Sequence, residues 1–139
     1  MTRYLIDTNI ASCIIKGNSP TVDRHLVKVE MAQLAISAVT EGELRFGAAR
    51  LPHATRLHSM IEDFFLRVAA LPWDSEAARQ YGRLRASLER EGQPVGNLDT
   101  MIAAHALALD ATLVTNDHVF ARIKKLKVVD WTKDPRGSE

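Results

Sequence analysis

Short β-forming segments alternate with helical patterns along the whole of this 139-residue chain. Apolar β-forming runs predict strands at residues 4–6, 34–36, 69–71, 111–114 and 127–129. Apolar spacing at three and four residues predicts helices at about 10–15, 21–31, 37–50, 54–68, 75–91 and 97–109, with a helical turn at 120–123. Strands separated by helices are typical of parallel sheets. We therefore predict an α/β fold with a central, mostly parallel sheet and helices on both faces.

The length of the chain favours one domain, residues 1–139, which buries about two thirds of its unfolded surface. We find no apolar run that could span a membrane and no signal peptide, and the lone Cys13 cannot form an internal disulfide. These features predict a cytoplasmic protein with no membrane partner. The net charge of +1 lacks the strong basic excess that proteins attracted to nucleic acid usually have.

Four acidic residues occupy positions at which an α/β sheet can bring side chains together. Asp7 follows the first predicted strand and Asp117 follows the fourth. If these strands are neighbours, both carboxylates face one crevice at the carboxyl ends of the strands. Asp99 lies in the first turn of a predicted helix, and Glu43 lies inside the helix that follows the second strand. Taken alone, Asp7 is also a typical N-cap for the helix that follows it.

Carboxylates gathered at one point repel each other, so such a cluster needs protons or cations. At 4 Å and an effective dielectric near 20, each like-charge pair costs about 4 kcal/mol before screening. Oxygen ligands suit Mg²⁺ or Mn²⁺, whereas the histidines and the single cysteine show no zinc-binding spacing. A divalent cation held by acids, with open water positions, is suited to phosphodiester hydrolysis.

Motifs at residues 5–9, 40–47, 96–106 and 113–117 appear in an order that resembles a known family. They read LIDTN, TEGELRFG, GNLDTMIAAHA and LVTND. In this order the motifs are similar to those of the PIN domain, and more closely to those of the VapC toxins of bacterial VapBC toxin–antitoxin pairs. No single motif is specific, but the ordered set covers nearly the whole chain.

The resemblance implies a PIN-like, Rossmann-like fold and a Mg²⁺-dependent endoribonuclease, with Mn²⁺ as a substitute. It implies an enzyme that cuts RNA, in particular tRNA in the anticodon region, and so blocks translation. Its catalytic and metal-binding residues would be Asp7, Glu43, Asp99 and Asp117, supported by Asn9 and Thr115. Glu41 is the other acid in its motif, but the family pattern of an acid and a leucine before an aromatic–glycine pair selects Glu43.

The resemblance also implies a VapB-type antitoxin as partner, a homodimer or larger toxin–antitoxin assembly, and contact with operator DNA only through the antitoxin. Three adjacent apolar residues at 64–66 cannot all face one side of a helix. We therefore place a potential antitoxin surface at Ile14, Leu26, Phe64 and Phe65. The antitoxin would also project a basic side chain toward the acids.

Three interpretations stay open at this stage. The basic run at 122–127 fits contacts to RNA phosphates and equally fits an edge strand protected by lysines. His105 lies on an apolar helix stripe and is expected to be a hydrogen-bonded core residue near the site. The alternative function is a PIN-like protein-interaction module without turnover.

Overall fold

The computed structural model describes residues 1–134, so residues 135–139, the end of the predicted domain, lie outside the described residues. Within residues 1–134, the strands are β1 (Tyr4–Ile6), β2 (Leu34–Ser37), β3 (Ala69–Leu71), β4 (Thr112–Val114) and β5 (Val128–Val129). They form one sheet in the order β3-β2-β1-β4-β5, and every pairing is parallel. The predicted parallel sheet is confirmed.

The helices of residues 1–134 are α1 (Thr8–Lys16), α2 (Pro20–Leu26), α3 (Ala38–Ala49), α4 (Thr55–Arg67), α5 (Ser75–Arg90) and α6 (Asn97–Leu109). Two short 3₁₀ helices, Met31–Gln33 and His118–Arg122, precede β2 and follow β4. Among these described helices, none has the length and apolar character needed to cross a bilayer.

Successive residues of the central strands point to opposite faces of the sheet, and each face has its own apolar core. Leu5 of β1 packs with residues of α5 and α6, whereas Ile6 packs with residues of α1, α2 and α4. Both side chains are completely buried, as expected of a parallel strand covered on both faces. Helices on both faces of the sheet are therefore confirmed.

The strand order places a crevice between β1 and β4. β2 pairs with β1 on one side, and β4 pairs with β1 on its other side. In an open α/β sheet, such a reversal of strand order leaves a ligand crevice at the carboxyl ends of the strands. Ile6 is in register with Val114, and the Asp7 amide donates to the Val114 carbonyl at 3.0 Å. The residues that follow β1 and β4 thus emerge side by side.

One helix is shorter than the sequence pattern predicts. The pattern indicates a helix over residues 21–31, but α2 ends at Leu26, and Val27 is 82% exposed. β-Branched valines favour helices only weakly. The Glu30 amide donates to the Gln33 side chain at 2.9 Å, which begins a separate 3₁₀ turn. This turn, rather than a continued helix, leads the chain into β2.

Candidate active site

The predicted acids meet in one cavity of about 200 Å³ at the carboxyl ends of β1 and β4. Its lining includes all four of them, which we call the acidic tetrad: Asp7, Glu43, Asp99 and Asp117. Thr8, Asn9 and Ile102 complete the lining. Four segments that are distant in sequence thus contribute to one polar cavity.

Asp7 is both a helix cap and a wall of this cavity. Its Oδ1 accepts a hydrogen bond from the Ile10 amide at 2.9 Å and thereby caps α1. Its Oδ2 accepts a hydrogen bond from the Thr115 hydroxyl. Asp7 is 5% exposed, so these two bonds fix the orientation of a nearly buried carboxylate. The two roles that the sequence leaves open for Asp7 are compatible.

Thr115 connects the two acids that follow the central strands. Its hydroxyl donates to Asp7 and accepts a hydrogen bond from the Asp117 amide at 3.0 Å. Asp117 in turn caps the 3₁₀ helix after β4, because its Oδ1 accepts from the Val119 amide at 3.0 Å. Thr115 is buried, whereas Asp117 is exposed at the cavity rim. Asn9 is also exposed and lines the cavity.

Glu43 is held toward the cavity by a residue that the sequence analysis missed. The Thr8 hydroxyl, at the start of α1, donates to Glu43 Oε1 at 2.5 Å. The sequence shows Thr8 as a polar residue directly after Asp7. Its partner becomes visible only in the structure, where α1 packs on α3. Glu41 instead forms a 2.8 Å ion pair with Arg45 on the outer side of α3. The structure therefore separates the two glutamates of this motif.

Electrostatic repulsion links the members of the tetrad. The pKa of Asp7 is raised by burial and, to a smaller extent, by the charges of Asp99 and Asp117, while its hydrogen bonds oppose this rise. The pKa of Asp99 is likewise raised, first by burial and then by Asp117 and Glu43. Each acid thus takes part in at least one unfavourable interaction with another member. A bound cation would relieve this repulsion.

The donor set fits a hydrated divalent cation better than a fully enclosed one. Within residues 1–134, no group of three or more histidine, cysteine, aspartate or glutamate side chains is arranged to hold a metal ion directly. Mg²⁺ commonly binds through only one or two carboxylates and keeps several waters. An oxygen-only, mutually repelling set around an open cavity meets that requirement. One or two of the carboxylates of Asp7, Glu43, Asp99 and Asp117 would hold the ion directly, and the others would do so through its waters.

His105 lies behind the cavity and belongs to the core, as the sequence indicates. It is 2% exposed, and its Nδ1 lies 2.9 Å from the Ser37 hydroxyl oxygen. Burial lowers the pKa of His105, partly opposed by the charge of Asp74. A neutral, hydrogen-bonded imidazole therefore fixes α6 against the end of β2.

A separate apolar groove of about 240 Å³ lies between α1, α2 and α4. Ile14, Leu26 and Phe64 line it, together with Met31 and Met60, which the sequence analysis did not select. Phe65, the fourth predicted surface residue, is not in its lining: the Arg45 guanidinium stacks on the Phe65 ring 4.5 Å from its centroid. Phe64 is 6% exposed and Leu66 is 86% exposed. The apolar run 64–66 thus divides among the groove, the contact with α3 and the open surface.

The chain is similar to known proteins over nearly its whole length. The PIN domain family model matches residues 4–126. The chain is similar to the tRNA(fMet)-specific endonuclease VapC of Shigella flexneri, at 38% identity over 95% of this chain and 100% of the relative. It is also similar to ribonuclease VapC2 of Rickettsia felis, at 33% identity over 94% of this chain and 98% of that relative. The crystal structure of DNA-bound VapBC from Salmonella typhimurium has a TM-score of 0.86 and 36% identity, and it covers 94% of this chain and 99% of that chain.

Proposed function

Since the chain belongs to the PIN domain family and, within it, to the VapC ribonucleases, we propose that it is a toxin that hydrolyses tRNA with a divalent cation. Mg²⁺ is the proposed ion and Mn²⁺ its substitute. The proposed site of action is the bacterial cytoplasm, where cleavage in the anticodon region would block translation. The observation that carries this proposal is the meeting of the acidic tetrad in one cavity.

Hydrogen bonds orient two members of the tetrad. Thr115 and the Ile10 amide hold Asp7 from two sides, and Thr8 holds Glu43. When bound, a divalent cation lowers the pKa of water and offsets negative charge on a phosphate group. The hydrogen bonds to Asp7 and Glu43 hold these two acids in place before that ion arrives, so these side chains lose little entropy on binding.

The choice of tRNA rests on the relatives. Two relatives at 38% and 36% identity, from Shigella flexneri and Salmonella typhimurium, are named as tRNA(fMet)-specific endonucleases. Both similarities cover at least 94% of this chain. We therefore propose initiator tRNA as the first substrate to test.

Cleavage of initiator tRNA with matched glutamate variants tests the proposal. The wild-type protein should cut in Mg²⁺ or Mn²⁺ and stop cutting when EDTA is added. Glu43→Gln should lower the cleavage rate by at least about 100-fold, since it removes a ligand charge. Glu41→Gln lies two residues away on the same helix and removes only an exposed ion pair, so it should cut at nearly the wild-type rate. Equal activity of the two variants would contradict the proposed site.

The apolar groove between α1, α2 and α4 supports the proposed antitoxin partner. VapBC complexes from Rickettsia felis and Salmonella typhimurium resemble this chain at TM-scores of 0.84 and 0.86. We propose that a VapB-type antitoxin fills the groove with apolar side chains and directs a basic side chain toward the tetrad. A homodimer or larger assembly, with operator DNA contacted only through the antitoxin, is part of this proposal.

A pair of exposed apolar residues tests the antitoxin surface. Met31 lines the groove and is 51% exposed, so Met31→Asp should weaken co-purification with the antitoxin without unfolding the toxin. Leu66→Asp is the control, because Leu66 is 86% exposed on α4 and does not line the groove. Phe65→Asp is a poorer test, since it would also remove the contact with Arg45. Equal antitoxin binding by both aspartate variants would exclude this groove.

A further inference from the structure

The structure divides the basic run at residues 122–127 into two parts. Ile123 and Leu126 are buried, at 5% and 8% exposure, and fix the segment to the core beneath α5 and α6. Lys127 turns toward Asp110, with its Nζ 2.9 Å from the carboxylate. Lys127 therefore belongs to the edge of the sheet beside β5. The other three cations have different surroundings.

Arg122, Lys124 and Lys125 are exposed and face Arg83 of α5 across a concavity of about 120 Å³. We call these four residues the basic patch. Glu91 is the single acid in the lining of this concavity, and it lies near the Ser87 hydroxyl at 3.4 Å. Among the ion pairs formed within residues 1–133, none includes a member of the patch. The patch thus places four positive charges around the single carboxylate of Glu91, on a chain of net charge +1.

The basic patch is connected to the acidic cavity by rigid structure. The 3₁₀ helix His118–Arg122 begins at its cap, Asp117 of the tetrad, and ends at Arg122. Arg122 also donates a hydrogen bond to the Pro94 carbonyl, in the loop that leads into α6 and Asp99. Five residues of 3₁₀ helix rise about 10 Å. This rise separates Asp117 from Arg122, and Lys124 and Lys125 follow two and three residues further along the chain.

We propose that the basic patch is a phosphate-binding extension of the active site, which holds the sugar–phosphate backbone of the RNA on one side of the bond that is cut. The inference rests on the proposed function, because it assigns the backbone of the same RNA to a second surface. It gives the near-neutral chain a local means of attracting a polyanion. It also separates the roles of the two surfaces: the tetrad acts on one phosphodiester, and the patch supplies affinity without reading sequence.

Binding of fluorescently labelled initiator tRNA, measured by anisotropy in EDTA, tests the patch without cleavage. The double variant Lys124→Gln/Lys125→Gln removes two exposed charges. The slope of log K against log salt concentration should become shallower by about 1.4, at about 0.7 per lost single-strand contact. The same relation gives about 25-fold weaker binding at about 0.1 M salt. Arg83→Gln, on the opposite wall, should weaken binding about fivefold.

The matched control is Lys16→Gln/Lys28→Gln, which removes the same charge from exposed positions at α1 and beyond α2. Its affinity and salt slope should stay close to those of the wild-type protein. If the control loses as much affinity as the patch variant, or if the patch variant binds like the wild type, the inference is wrong.

Cleavage measured alongside binding separates this inference from the proposed function. In Mn²⁺, the patch variant should show a raised KM and an unchanged kcat, because the acids are untouched. If the patch variant cuts tRNA with the KM and salt slope of the wild type, the patch does not bind RNA, and the nuclease proposal is unaffected. If the wild type binds tRNA through the patch and never cuts it, the patch stands and the nuclease proposal fails.

Discussion

The substitution Asp99→Asn should abolish cleavage and yet stabilise the metal-free protein. Asp99 is half-buried in the first turn of α6, where burial and the charges of Asp117 and Glu43 raise its pKa. Asparagine removes the charge and keeps nearly the same shape. The variant therefore relieves a repulsion that only a bound cation relieves in the wild type.

Two opposing effects set the size of this change. In a cavity open to water, burial of the Asp99 charge and its two repulsions together cost about 1.5 kcal/mol. A carboxylate in the first turn of a helix also gains about 0.5 kcal/mol from the helix dipole, and the variant loses that gain. The net stabilisation is thus about 1 kcal/mol, which corresponds to roughly 3 °C in Tm for a chain of this length.

Thermal melts in EDTA and in excess Mg²⁺ measure the effect, with Asp23→Asn as the matched control. Asp23 is an exposed acid in the first turn of α2, so this variant loses the helix-dipole term alone. In EDTA, Asp99→Asn should melt above the wild type and Asp23→Asn slightly below it. In Mg²⁺ at about 100 times its Kd, the free energy of unfolding of the wild type should rise by about 2.7 kcal/mol. The wild type should then melt above Asp99→Asn.

The advantage of Asp99→Asn should also depend on pH in a defined direction. The pKa of Asp99 is raised above its usual 3.8, so the folded wild type binds a proton more tightly than the unfolded chain does. Its stability penalty is therefore absent below pH 3.8 and grows as pH rises through the raised folded-state pKa. Without metal, the difference between variant and wild type should be smaller near the usual pKa of 3.8 than at about pH 7.5. If Asp99→Asn in EDTA is destabilised as much as Asp23→Asn, the tetrad is not a repulsive cluster.

Substitutions at three further positions test the surroundings of the tetrad. Thr115→Val removes the donor to Asp7, so cleavage assays should show a loss of about 10- to 100-fold, and Thr115→Ser should retain most activity. Thr8→Val removes the 2.5 Å hydrogen bond to Glu43, and calorimetric titration with Mg²⁺ should show about tenfold weaker binding. His105→Leu should lower the free energy of unfolding by about 1–3 kcal/mol in urea titrations, while kcat at low temperature stays near the wild-type value. Unchanged cleavage by Thr115→Val, unchanged Mg²⁺ binding by Thr8→Val or unchanged stability of His105→Leu would contradict the role given to that residue.

The sequence predicts the parallel sheet and the positions of Asp7 and Asp117 from local patterns, whereas the family resemblance selects Glu43 over Glu41. Each central strand is a short apolar run that ends in polar residues, so Asp7 and Asp117 can be placed at strand ends without coordinates. Their meeting in one crevice needs the pairing of β1 with β4, which the sequence analysis has to assume and the structure supplies.

Contacts between residues far apart in sequence could not be predicted in the same way. Thr8 and Glu43 are 35 residues apart and meet only because α1 packs on α3. Phe64 and Phe65 look equivalent in sequence, but Phe64 faces the core and Phe65 faces Arg45 of α3. Trp131 stacks on the His25 ring at a centroid distance of 5.8 Å, a pairing that no local pattern indicates.

Anomalous diffraction from crystals grown with Mn²⁺ shows whether the acidic tetrad holds a divalent cation. An anomalous peak is expected in the cavity between β1 and β4, with at least one tetrad carboxylate about 2.0–2.3 Å from the ion and waters at other positions. The peak should be absent from Asp99→Asn crystals grown in the same way. A full-strength peak elsewhere, or no peak in the wild type at saturating Mn²⁺, would show that the tetrad does not bind the cation.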